Sequence, residues 1–152
     1  MALEGEQLIQ PPKNPLTVKL NLAVLDYYFQ AFVKKWLPAF TPVITSSYRT
    51  GTKNKEVGGA ANSAHLHGLA YDFILKNSAG QAIPKLQAKK VFDEFIFPNW
   101  SGFSLFEADE SGGYHIHVNL SREISTYAGL TAIAGIGVIG FAIIQSWGGS
   151  KT

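Results

Sequence analysis

Apolar residues recur at three- and four-residue spacing from Leu22 through Leu25, Phe29, Phe32 and Val33 to Trp36, which predicts one buried face of a helix. Asn21 is placed to cap that helix and Pro38 to stop it. Ahead of it, residues 1–15 hold Pro11, Pro12 and Pro15 among polar residues and predict an extended arm. Residues 43–49 (Val-Ile-Thr-Ser-Ser-Tyr-Arg) are β-branched and partly alternating, a strand that ends in a polar turn. Residues 50–61, rich in Gly, Lys and Asn, read as a loop, and residues 69–75 as a second strand. Leu86, Val91, Phe92, Phe95 and Ile96 mark a second helix, closed by Pro98. Residues 102–106 and 115–120 predict two further strands, joined by an acidic loop that begins at Glu107. Helix and strand mix without βα alternation, so the expected fold is α+β, a small antiparallel sheet with flanking helices.

The pattern changes abruptly after Glu123. No charged residue follows until Lys151, and residues 127–144 are apolar or small throughout. Eighteen helical residues span about 27 Å at 1.5 Å each, close to the ~30 Å of a bilayer's hydrocarbon core. A C-terminal transmembrane helix is therefore expected over residues 126–147, with a short tail at 148–152 and the folded domain at 16–122. A buried helix of a soluble protein is the competing reading, but this stretch has no polar stripe to turn towards water. Gly135, Gly137 and Gly140 match the spacing of a dinucleotide fingerprint, yet only twelve residues follow and none is acidic. Set among alanines, these glycines suit close helix–helix association within a membrane.

Composition narrows the chemistry. The 152 residues carry a net charge of +2, and no Lys/Arg cluster with interleaved aromatics appears, which sets a nucleic-acid partner aside. There are no cysteines, so any metal must be held by histidine and carboxylate. The first residues offer neither a basic segment nor an apolar one, and no cleavable signal peptide is expected.

All four histidines fall in two clusters, His65 with His67 and His115 with His117. In the first, His65 and Asp72 stand seven positions apart across Gly68, a natural distance for two ligands on either side of a turn that enters a strand. Imidazole nitrogen and carboxylate oxygen suit zinc, which in catalytic sites takes three protein ligands and leaves a fourth position to water. The second cluster supplies the third ligand. His67 is expected to face the substrate or support a ligand. Asp72 among apolar neighbours would otherwise be a buried carboxylate in need of a partner.

Ser63-x-His65-x-x-Gly68-x-Ala70-x-Asp72, preceded by Ser47-Tyr48-Arg49 and followed by His117-Val118-Asn119, resembles the peptidase M15 family. That family comprises D-Ala-D-Ala carboxypeptidases, dipeptidases and phage endolysins that cut peptidoglycan peptides, and it shares its fold with the hedgehog signalling domain. The resemblance covers residues 43–120. It implies a Zn2+ ion held by His65, Asp72 and His117, with Arg49 and Ser63 helping to hold the substrate. Many members place a catalytic glutamate three residues before the last histidine ligand, and here that position is Tyr114. His115, in a His-x-His arrangement also seen in the family, is then the expected proton-handling or oxyanion-stabilising group, and Arg49 the clamp. The expected function is a zinc metallopeptidase acting on peptidoglycan stem or crosslink peptides. It would be anchored by one C-terminal span in the bacterial inner membrane or in the membrane of a phage particle. Two other classes stay open: a catalytically silent zinc-containing binding module, and a viral membrane structural protein.

Overall fold

Pro15 opens the first helix instead of closing an arm. Its fixed φ suits a first helical turn, where the missing N–H would have no intrahelical partner. The computed structural model describes residues 15–120 and carries α1 over Pro15–Trp36. Asn21, expected as a cap, therefore lies inside the helix. The predicted apolar face is present: Leu25, Phe29 and Phe32 are buried, and Val18, a turn earlier than expected, joins them. The rest of the expected 1–15 arm and the expected transmembrane helix at 126–147 lie outside the described residues. Among the described residues, no helix is long and apolar enough to cross a membrane.

Four strands follow the expected order with shifted ends: β1 (Thr41–Ser46), β2 (Ala70–Lys76), β3 (Phe103–Ala108) and β4 (Tyr114–Asn119). They form one antiparallel sheet in the order β1-β2-β4-β3. The predicted loop at 50–61 contains a short helix, α2 (Gly51–Glu56), which starts because the Thr50 hydroxyl accepts from the Lys53 N–H at 3.2 Å. The predicted second helix is split. Its α-helical part, α3 (Lys85–Val91), runs into a π turn over Phe92–Ile96, in which the Phe97 N–H reaches the Phe92 carbonyl at 2.8 Å. That widened turn rotates the side chains. Val91, Phe92 and Ile96 stay buried, while Phe95 turns outward and Leu86, expected in the core, is 83% exposed.

The two faces of the sheet do different work. Tyr71, Phe73, Leu75, Ile116 and Val118 point to one side and form a single core with α1, the π turn and Trp100. Phe29 sits edge-on to both Tyr71 and Phe73, with ring centroids at 5.3 and 5.1 Å, and Phe32 meets Trp100 in the same way at 5.3 Å. Such pairs add about 0.5–1.5 kcal/mol each beyond the burial of their area. Because side chains alternate along a strand, Asp72, His115 and His117 are sent to the opposite face.

Candidate metal centre

The β2–β4 register sets Asp72 directly opposite His117, and the flanking registers add Ser46 on β1 and Leu105 on β3 to the same row. Directly opposed residues of antiparallel strands share a face. A bulge places Ser46 in that row. Ile44 pairs with Phe73 and Ser46 with Asp72, leaving Thr45 as an extra residue whose hydroxyl donates to the Asp72 backbone carbonyl at 3.1 Å.

His65 reaches the row from a 3-10 turn, Ala64–His67, just before β2. Ser63 caps it by accepting the His65 N–H at 3.4 Å, so this hydroxyl serves the turn. The turn ends at Gly68 with φ of +67°, and a Cβ there would lie 2.9 Å from the Val18 carbonyl oxygen of α1. Only glycine meets both demands without strain. Asn21 completes the contact, donating from Nδ2 to the His67 carbonyl at 2.8 Å. His67 itself is half-buried beside the centre.

His65 is 2% exposed, and its Nδ1 lies 2.5 Å from the Ser47 carbonyl oxygen. A carbonyl can only accept, so Nδ1 carries the proton, and Nε2 of the neutral ring presents a lone pair. That lone pair faces Asp72 Oδ1 at 3.1 Å, and the same oxygen lies 2.8 Å from His117 Nδ1. Burial alone would raise the Asp72 pKa. When His117 and His65 carry a proton on the nitrogen that faces it, their hydrogen bonds and charge outweigh burial and hold the carboxyl well below the usual range. Two electron-pair donors facing each other this closely require a cation between them, either a proton or a metal ion.

A metal ion fits. Donor atoms of His65, Asp72 and His117 lie within 4.8 Å of one another, and tetrahedral zinc places its ligands about 3.4 Å apart for bonds of about 2.1 Å. The Ser47 carbonyl fixes the tautomer that a ligating imidazole needs.

The family model for peptidase M15 matches residues 19–104, more than half of the chain. The chain belongs to the peptidase M15 family. The match includes Arg49, Ser63, His65 and Asp72 but ends before β4, so His117 joins the group through the sheet register. No curated protein and no solved structure matches the chain.

With the M15 assignment in place, the second histidine cluster becomes legible. Tyr114, at the position where a glutamate was expected from the family pattern, points to the core face. There its ring stacks on Phe106 at 5.6 Å, and its hydroxyl bonds the Leu75 backbone N–H and carbonyl at 3.1 and 3.2 Å. It cannot handle protons at the metal face. His115 does lie on that face, and directly across from it stands Glu107, whose Oε2 is 2.7 Å from His115 Nε2. Sequence reasoning left Glu107 in a loop because it ended β3 at Phe106. No alternation in the sequence signalled the extension, since exposed Phe103 and Leu105 and buried Ser104 invert the usual apolar-in pattern. Exposed Phe103 and Leu105 line the face on the β3 side, Phe103 edge-on to His117 at 6.0 Å. On the β1 side lies a groove of about 500 Å³, lined by Ile44, Ser46, Tyr48, Lys53, Val57 and Arg49, the last of which bonds Asp72.

Proposed function

We propose that the chain is a zinc peptidase that hydrolyses peptide bonds in the stems or crosslinks of peptidoglycan. The observation that carries the reading is the convergence of His65 Nε2, Asp72 Oδ1 and His117 on one point of the sheet face, beside a paired His115 and Glu107. Zinc bound there would polarise a peptide carbonyl and render water nucleophilic near neutral pH. Asp72 and His65, held by β2 and the capped turn, supply a rigid part of its cradle. Glu107, bonded to His115 Nε2 on the same face, would take the proton released by the attacking water and return it to the leaving amine. His115 orients that carboxylate and balances its charge. The open groove on the β1 side and the exposed Phe103 and Leu105 on the β3 side suit an extended peptide better than a small molecule.

The apolar stretch 127–144 supports a membrane-anchored enzyme, in a cell membrane or a membrane-containing phage particle. A silent binding module keeps one observation in its favour, namely that Tyr114 leaves no carboxylate at the expected position. Incubating the protein with purified muropeptides, with zinc and with a chelator, separates the readings by the masses of the products. Zinc-dependent release of an amino acid or peptide is expected. Unchanged muropeptides alongside full zinc occupancy would leave the binding module standing.

A further inference from the structure

Asp72 presents its two oxygens to different partners. Oδ1 faces the rings of His65 and His117, whereas Oδ2 faces Nη2 of Arg49 at 2.5 Å. Arg49 is itself fixed at two further points: its Nε donates to Ser46 Oγ at 2.9 Å, and its backbone N–H donates to the His65 carbonyl at 3.0 Å. Ser46 is available because the β1 bulge brings it opposite Asp72. Arg49 is thus tied to three separate pieces of the site, two through the guanidinium and one through its backbone N–H, and its side chain is only 20% exposed. A planar fork with fixed donor directions can serve the serine hydroxyl and the carboxylate together, which a point charge on a flexible stem cannot.

We infer that Arg49 is a positioning residue, which occupies Asp72 Oδ2, restricts Asp72 to one-oxygen ligation and so preserves an open fourth position at the metal. This role stands beside the substrate clamp expected of Arg49: Nε and Nη2 serve Ser46 and Asp72, while the same side chain lines the groove on the β1 side. The inference rests on the metal-binding part of the proposed function. Two opposing effects act on the ion. The positive charge of Arg49 disfavours a cation nearby, while its hold on Asp72 favours binding by ordering the ligand. Partners that orient a ligand in this way are typically worth about 10- to 100-fold in metal affinity.

The test uses the full chain as wild type, Arg49→Lys, Arg49→Gln and Ser46→Ala. Zinc affinity is measured by competition with a chromogenic chelator, and the geometry by the visible spectrum of the Co(II)-loaded protein. Four-coordinate Co(II) absorbs strongly, and entry of a second Asp72 oxygen weakens the band. The expected result is zinc binding weakened about 10- to 100-fold in both Arg49 variants, with a fainter Co(II) band, and a smaller shift the same way in Ser46→Ala. Zinc bound as tightly as in wild type, or more tightly, with an unchanged spectrum would overturn the inference, whatever happens to KM. A fully functional Arg49→Lys would overturn the role of the fork. If circular dichroism shows Arg49→Gln unfolded, Ser46→Ala decides by the same readouts. A wild-type protein that binds no zinc would remove the underlying metal reading and this inference with it, an outcome distinct from normal binding by wild type and variants alike.

Discussion

The residue scale separates holding a metal from moving a proton. His117 donates to the centre, whereas His115, two positions earlier on the same face, bonds Glu107. His117→Ala is expected to abolish stoichiometric zinc binding, read by elemental analysis. His115→Ala and Glu107→Gln should both keep one zinc per chain. Each is expected to lose on the order of 10²- to 10⁴-fold in turnover of a cleaved muropeptide, the range that general acid–base groups supply. Full turnover in Glu107→Gln would return the proton-handling role to His115 alone. His65 and Asp72 were legible in the sequence because ligand chemistry sits in side-chain identity and their spacing spans one turn. The pairing of Glu107 with His115 was not, because it depends on which residue lies across the ladder. The engagement of Arg49 with Asp72 was hidden for a similar reason, since it requires a bulge that no residue of β1 announces.

At the scale of elements, the turn that carries His65 depends on α1. Gly68→Ala would force a Cβ to within 2.9 Å of the Val18 carbonyl at a φ of +67°. We expect it to lower stability by about 1–3 kcal/mol, measured by urea unfolding, and to loosen zinc binding as the turn shifts. Tyr114 ties β4 to β2 where their ladder ends, its hydroxyl standing in for a backbone partner of Leu75. Burial raises the Tyr114 pKa, partly offset by the Leu75 backbone. A raised folded-state pKa gives stability that is fully present below the unfolded tyrosine value of about 10 and is lost as pH climbs through the folded value. Tyr71 behaves likewise, pushed up to about 12 by burial, then by the charge of Asp26 and its hydrogen bond. Stability should therefore fall above pH 10, and Tyr114→Phe should reduce that slope while costing about 1–3 kcal/mol at neutral pH, because the Leu75 N–H loses its partner. An unchanged slope in urea titrations at alkaline pH would contradict this account of Tyr114. Most elements were visible as periodic patterns. The start of α1 was not, because a proline that opens a helix and one that stiffens an arm look alike, and the π turn was not, because it obeys neither the 3.6-residue nor the two-residue period.

For the whole molecule, the centre joins β2, β4 and the 3-10 turn, so an ion bound there favours the folded chain over the unfolded one. Zinc at a thousand times its Kd would add about 4 kcal/mol. The melting temperature should accordingly drop by several degrees in a chelator and recover on adding zinc, and a melt indifferent to both would separate the centre from stability. The strand order carries a further consequence. β4 is the last of the four described strands along the chain yet sits between β2 and β3. On a ribosome, a nascent chain that has emerged as far as β3 displays His65 and Asp72 but lacks both His117 and the strand that joins β2 to β3. A chain that stops short of β4 therefore has two of the three candidate ligands and a divided sheet.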